Sequence, residues 1–246
     1  MLTDSYGRIA TDLRVSLTDR CNLRCSYCMP PEGLDWLPKP EVLTGDEVVR
    51  LVRIGVETLG IREVRFTGGE PLLRHDLVSI IAATAALAPR PEISLTTNGI
   101  GLDRRAAALR DAGLDRINVS LDTLRPEVFR KLSHRDRLSD VLTGLAAAAA
   151  AGLTPVKVNT VLMRDLNEDE APDLLRYCME HGYELRFIEQ MPLDAQHGWK
   201  RTEMITADEI FDSLSRAFDL SEDSERVRGA APPRPSSSTA ARPGSG

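Results

Sequence analysis

The sequence predicts an α/β protein, an open and incomplete β/α barrel of about six parallel strands. Three observations carry that expectation. Short runs rich in β-branched residues alternate with helical patterns along the chain. Within each run, apolar and polar residues alternate. Right-handed crossovers curl such a sheet into an arc, and about six units are too few to close the eight-stranded barrel.

The strands are expected at Leu13–Leu17, Glu63–Thr67, Glu92–Thr96, Arg116–Ser120, Pro155–Val161 and Glu184–Glu189. Helical patterns lie between them near Thr44–Leu59, His75–Leu87, Arg104–Ala112, Ser139–Ala151 and Asp169–His181, and a last one at Ala207–Ala217. Three helix starts carry a capping-box pattern, in which a small polar residue and a later glutamate satisfy each other's backbone N–H: Thr44 with Glu47, Asn167 with Glu170, and Thr206 with Glu209. Gly113 and Gly152 fall where helices end in the left-handed conformation. Residues 1–222 read as one core barrel. Residues 223–246, with four prolines, five serines and almost no large apolar side chain, read as a disordered tail.

Hydrophobic residues at 42% and charged residues at 28% exclude collagen-like and wholly disordered classes. The net charge of −6 argues against general nucleic-acid binding but leaves room for a local anion pocket. No apolar run reaches bilayer length; the nearest is Leu145–Leu153. The polar start at Thr3, Asp4 and Ser5 lacks a signal-peptide pattern, so the expected location is cytoplasmic and off the membrane.

One face of the strands is apolar: Leu13, Val15, Val64, Phe66, Ile93, Leu95, Ile117, Val119, Val156 and Val158. The other carries Arg14, Ser16, Arg65, Thr67, Ser94, Thr96, Asn118, Ser120, Lys157 and Asn159. A sealed barrel fills its lumen with branched apolar residues, so this face reads as a wet, cationic lumen for a polar anion. The competing readings are a one-sided, solvent-facing sheet, and cations neutralised by Glu63 or Glu189.

The chain has four cysteines. Cys21, Cys25 and Cys28 sit together after the first strand, and Cys178 lies alone on an amphipathic helix as an expected inert thiol. The spacing C-x3-C-x2-C suits three thiolate ligands of a 4Fe–4S cluster with one iron left open. A zinc site completed by a distant histidine is the alternative.

This pattern, followed one β/α unit later by Thr67-Gly-Gly-Glu-Pro71, resembles the radical S-adenosylmethionine superfamily. The run Thr18–Gly33, with Arg65–Arg74, Thr96–Gly99, Asn118–Asp122 and Lys157–Asn159, is similar to the GTP 3′,8-cyclase family of molybdenum cofactor biosynthesis. The resemblance runs from about Asp12 to about Phe218. It implies that Cys21, Cys25 and Cys28 hold the cluster. It places Tyr27, Gly69, Ser120 and Met191 on S-adenosylmethionine, and Arg14, Arg65, Thr96 and Lys157 on GTP. No side chain is assigned a catalytic role, because the radical arises at the cluster. The implied lyase reaction takes the ribose 3′ hydrogen of GTP and joins C3′ to guanine C8.

The implied partners are GTP, a reductant such as flavodoxin or ferredoxin, a downstream cyclic pyranopterin monophosphate synthase, and a second copy in a homodimer. Family members also carry a C-terminal region whose three cysteines bind a second cluster. After Cys178 this sequence has no cysteine, so a truncated or frame-shifted chain with one cluster is expected. Such a chain would cleave S-adenosylmethionine without efficient GTP cyclisation. The alternatives are another single-cluster radical enzyme and an inactive degenerate chain.

Overall fold

The structure is a computed structural model that describes residues 2–192, 198–222 and 239–243. The short strands β1 (Leu2–Thr3) and β2 (Ile9–Ala10) form a hairpin ahead of the main sheet. The sheet contains β3 (Asp12–Ser16), β4 (Glu63–Thr67), β5 (Glu92–Thr97), β6 (Arg116–Ser120), β7 (Val156–Thr160) and β8 (Glu184–Phe187). These strands pair in chain order and all in parallel, leaving β3 and β8 as edges. The barrel is therefore open, as expected.

The apolar face packs beneath the helices. Val64, Phe66, Ile93, Leu95, Ile117, Val119 and Val158 are all fully buried. Each such side chain contributes about 1.5–3 kcal/mol relative to exposure. On this face lie α1 (Gly45–Ile54), which runs on into a π-helical turn at Gly55–Leu59, α2 (Leu77–Ala85), α3 (Ala106–Asp111), α5 (Leu138–Ala150) and α6 (Ala171–His181). After β8 comes α7 (Ala207–Ser215). The expected helices are present, their ends displaced by a few residues. Gly113 and Gly152 take the left-handed backbone predicted for them, with φ of 101° and 73°.

Two local readings need correction. A helix absent from the sequence reading, α4 (Pro126–Ser133), follows β6. It opens on Pro126 and buries Val128, Phe129 and Leu132. The capping boxes of Thr44 and Thr206 form, but that of Asn167 does not. Asn167 is fully buried and bridges loops: its Nδ2 donates to the Asp122 and Val161 carbonyls, and its Oδ1 accepts from the Met163 N–H. Glu170, also buried, accepts instead from Thr123 Oγ1, the Leu124 N–H and Arg125 Nε. A buried loop with unpaired backbone groups outweighs a surface cap worth about 1 kcal/mol.

Of the expected tail, residues 223–238 and 244–246 lie outside the described residues. Strand β10 (Thr239–Pro243) pairs antiparallel with β9 (Phe218–Glu222). Among the described residues no helix is long and apolar enough to cross a membrane.

Candidate active site at the C-terminal end of the sheet

The cysteine loop leaves β3 and is clamped on two sides. On one side the Gly69 N–H donates to the Thr18 carbonyl at 2.7 Å, and the Glu70 N–H to the Arg20 carbonyl at 2.7 Å. The approach is so close that a methyl group on Gly69 would lie 2.3 Å from the Arg20 oxygen. The glycine pair thus lets backbone meet backbone, which places the loop. The Glu70 carboxylate turns inward and accepts from Thr97 Oγ1 at 2.6 Å, the Asn98 N–H at 2.7 Å and the Leu72 N–H at 2.9 Å. Burial raises its pKa, and those three donors oppose the rise. Asn98 in turn donates to Asn22 inside the loop at 2.7 Å.

On the other side Tyr27 donates its hydroxyl to Asp122 at 2.7 Å, and the Val161 N–H donates to the other Asp122 oxygen at 2.9 Å. Burial pushes the Asp122 carboxyl up to about 6 and raises the Tyr27 phenol well above its usual range. The Arg24 and Ser26 N–H groups donate to the Ser133 and Leu132 carbonyls at the end of α4.

Burial is also the largest cause of the raised pKa of Cys21, Cys25 and Cys28. Cys21 and Cys28 each raise Cys25 further, so the thiols share one neighbourhood. Among the described residues no three His, Cys, Asp or Glu side chains form a group that could hold a single metal ion. A cluster places its ligands at separate corners of a cube rather than around one ion, and three thiols leave one corner open. The donor set therefore fits a 4Fe–4S cluster. Cys178 is fully buried in the core, its thiol pushed up to about 12 by burial.

Below the loop, register groups the polar face. Arg14 lies beside Arg65, and Arg65 beside Ser94. Thr96, Asn118, Lys157 and Glu184 form a second row. Asn118 donates to Thr96 at 3.2 Å, and the buried Asn118 Oδ1 has no partner among the described residues. Lys157 pairs with Glu184 at 3.6 Å. Glu63 and Glu92 instead engage Arg116, a lumen cation that the strand pattern had left unassigned. Among the described residues Arg14 and Arg65 make no ion pair, and the buried Arg65 Nε has no hydrogen-bond partner. Burial lowers the pKa of Arg65, and Arg14, Arg116 and Arg186 lower it further.

Arg186, on the outermost strand, is thus a further cation of this lumen. Its alternation with Leu185 and Phe187 was the signal that could have found it. Ser120 ends β6 beside Asn159, two residues before Asp122. Met191, past the end of β8, is 54% exposed, and residues 193–197 beyond it lie outside the described residues.

The radical SAM superfamily pattern matches residues 15–178. A GTP 3′,8-cyclase from Streptomyces coelicolor is 69% identical over 232 residues, covering 94% of this chain and 68% of that protein. The chain belongs to the GTP 3′,8-cyclase family. A second family member, from Mycobacterium sp. strain KMS, is 62% identical over 94% of this chain and 66% of its own length. The chain thus spans about two thirds of the length of these family members. In fold it is similar to methylornithine synthase, with a TM-score of 0.64 at 16% identity over 85% of this chain and 62% of that one. It is also similar to Streptococcus suis SuiB bound to S-adenosylmethionine, with a TM-score of 0.58 at 19% identity over 73% of this chain and 40% of that one. The matched stretch, residues 15–178, takes in the clamped loop and the strands from β4 to β7.

Proposed function

We propose that this chain carries the radical-generating and triphosphate-binding parts of the GTP 3′,8-cyclase reaction. The single observation behind it is the pair Arg14 and Arg65, adjacent in register and without ion pairs among the described residues. Arg14 is exposed and Arg65 half-buried; burial and the neighbouring Arg14 both disfavour the charge on Arg65, and an anion that joins the two relieves that repulsion. A triphosphate is such an anion, and arginine binds phosphate oxygens through charge-assisted hydrogen bonds.

Cys21, Cys25 and Cys28 would hold the cluster, which when bound supplies one electron for cleaving S-adenosylmethionine. Gly69, Tyr27, Ser120 and Met191 are the proposed contacts of S-adenosylmethionine. Gly69 and Tyr27 belong to the two clamps of the loop, so they share its position. Thr96 and Lys157, with Arg14, Arg65 and Arg186, line the proposed GTP site one layer below. Holding both molecules in one arc keeps a reactive carbon near a single C–H bond and limits access of water. A reductant, the synthase that takes the product, and a homodimer complete the proposed setting.

Anaerobic reconstitution tests this reading. About four irons per chain are expected. With dithionite the loaded chain should form 5′-deoxyadenosine. GTP should raise the melting temperature, and Arg65→Ala should remove that rise while 5′-deoxyadenosine formation persists. A chain that binds no iron, or gains no protection from GTP, overturns the corresponding half of the proposal. Formation of the cyclised product is read separately; S-adenosylmethionine cleavage without efficient cyclisation is the expected result.

A further inference from the structure

The end of α4 bears on the cysteine loop in a second way. Its last turn and the residues after it run Arg130-Lys-Leu-Ser-His-Arg-Asp-Arg137. Here four formal cations face the single carboxylate of Asp136, on a chain whose net charge is −6. Arg130, Lys131, His134, Arg135, Asp136 and Arg137 are all exposed. Asp136 pairs with Arg130 at 3.4 Å, and Arg137 pairs with Asp140. Lys131 and Arg135 have no carboxylate partner among the described residues. Arg130 and Lys131 sit where cations offset the negative end of a helix, but Arg135 and Arg137 lie beyond that turn, so the helix end does not account for them.

The turn is fixed to the cysteine loop. Buried Phe129 and Leu132 anchor the helix, and Ser133 Oγ donates to the Phe129 carbonyl at 2.6 Å. The Leu132 carbonyl accepts from Ser26 at 2.9 Å and the Ser133 carbonyl from Arg24 at 3.0 Å. Both donors lie between the first and last cysteines of the triad. A protein resting on the basic turn would therefore sit one hydrogen bond away from the segment that carries the thiols, of which Cys28 is exposed.

We propose that this basic turn is the docking surface for an acidic protein that delivers single electrons to the cluster. The inference rests on reading Cys21, Cys25 and Cys28 as cluster ligands. In the step itself the donor is oxidised by one electron and the cluster is reduced by one, with no group or proton transferred. Opposite charges at the edge of an interface raise the rate of productive encounter and make it sensitive to salt.

The test compares the parent chain with Lys131→Glu/Arg135→Glu and with Arg50→Glu/Arg62→Glu, a control of equal net charge on exposed residues elsewhere. The probe is a purified acidic flavodoxin. Its binding to the iron-free chain is measured at low and at moderate salt. Its support of 5′-deoxyadenosine formation by the loaded chain is measured beside that of dithionite. The expected result is binding weakened about ten-fold or more in the Lys131/Arg135 variant, in line with the loss of two steering charges. The control should bind as the parent does, parent binding should weaken with salt, and dithionite-driven cleavage should be equal in all three. Equal flavodoxin binding by the parent and the Lys131/Arg135 variant overturns the proposal, as does equal weakening by the control. Absence of dithionite-driven cleavage in the parent would instead overturn the cluster reading, while binding to the iron-free chain still decides the docking surface.

Discussion

Asp122 shows how much a single buried carboxylate can organise. It accepts from Tyr27 and from Val161, while its own carbonyl accepts from Asn167, so one residue ties the cysteine loop to the loops after β6 and β7. Its carboxyl rises from 3.8 to about 6 because burial disfavours the charged form. The folded chain then binds more protons than the unfolded chain between those values. Stability contributed through this group is greatest below the lower value, falls as pH rises to about 6, and is level above it. Denaturant titrations of iron-free Asp122→Asn across that window should show the slope reduced relative to the parent. An unchanged slope would mean that Asp122 is not the group responsible. Asp122 closes the stretch Asn118–Asp122, in which the family resemblance gives a ligand role to Ser120 and none to Asp122. A lone Asp after a strand reads as a turn residue until the tyrosine from a distant loop is seen to reach it.

The helix caps make the same point for whole elements. Thr44, Asn167 and Thr206 each precede a glutamate by three positions. Thr44 and Thr206 cap α1 and α7 on the surface, whereas Asn167 is a buried bridge between the loops after β6 and β7. Thr206→Ala should therefore cost about 1 kcal/mol, the usual loss of a cap. Asn167→Ala leaves buried backbone donors and acceptors unpaired and should cost clearly more, about 2–3 kcal/mol or above. Equal losses in urea unfolding would show that Asn167 acts as an ordinary cap. Local spacing made the strands and most helices readable, because period two and helical period are written into every segment. It could not separate cap from bridge, since both use the same residues and differ only in what packs over them. Helix α4 is hard to read from the sequence for a related reason: its apolar residues Val128, Phe129 and Leu132 are few and closely followed by charge.

At the scale of the molecule, the open sheet sets apolar packing on one side against repelling cations on the other. The alternation along each strand made that division legible, down to Arg14, Arg65, Thr96 and Lys157. The pairings Arg116 with Glu63 and Glu92, and Lys157 with Glu184, depend on register between strands, which no single strand records. Because Arg65 is partly desolvated among other cations, Arg65→Met should raise the melting temperature of the ligand-free chain while abolishing its response to GTP. A lower melting temperature for the ligand-free variant would show that Arg65 supports the fold rather than straining it. The order of the strands has one further consequence. They join the sheet in the sequence in which a ribosome releases them, β3 first and β8 last. Gly69 and Glu70 can secure the thiol loop as soon as β4 emerges, whereas Asp122 and the end of α4 arrive only after β6. Between those moments the nascent thiols are held on one side only, so for an interval of synthesis the loop has half of its final support.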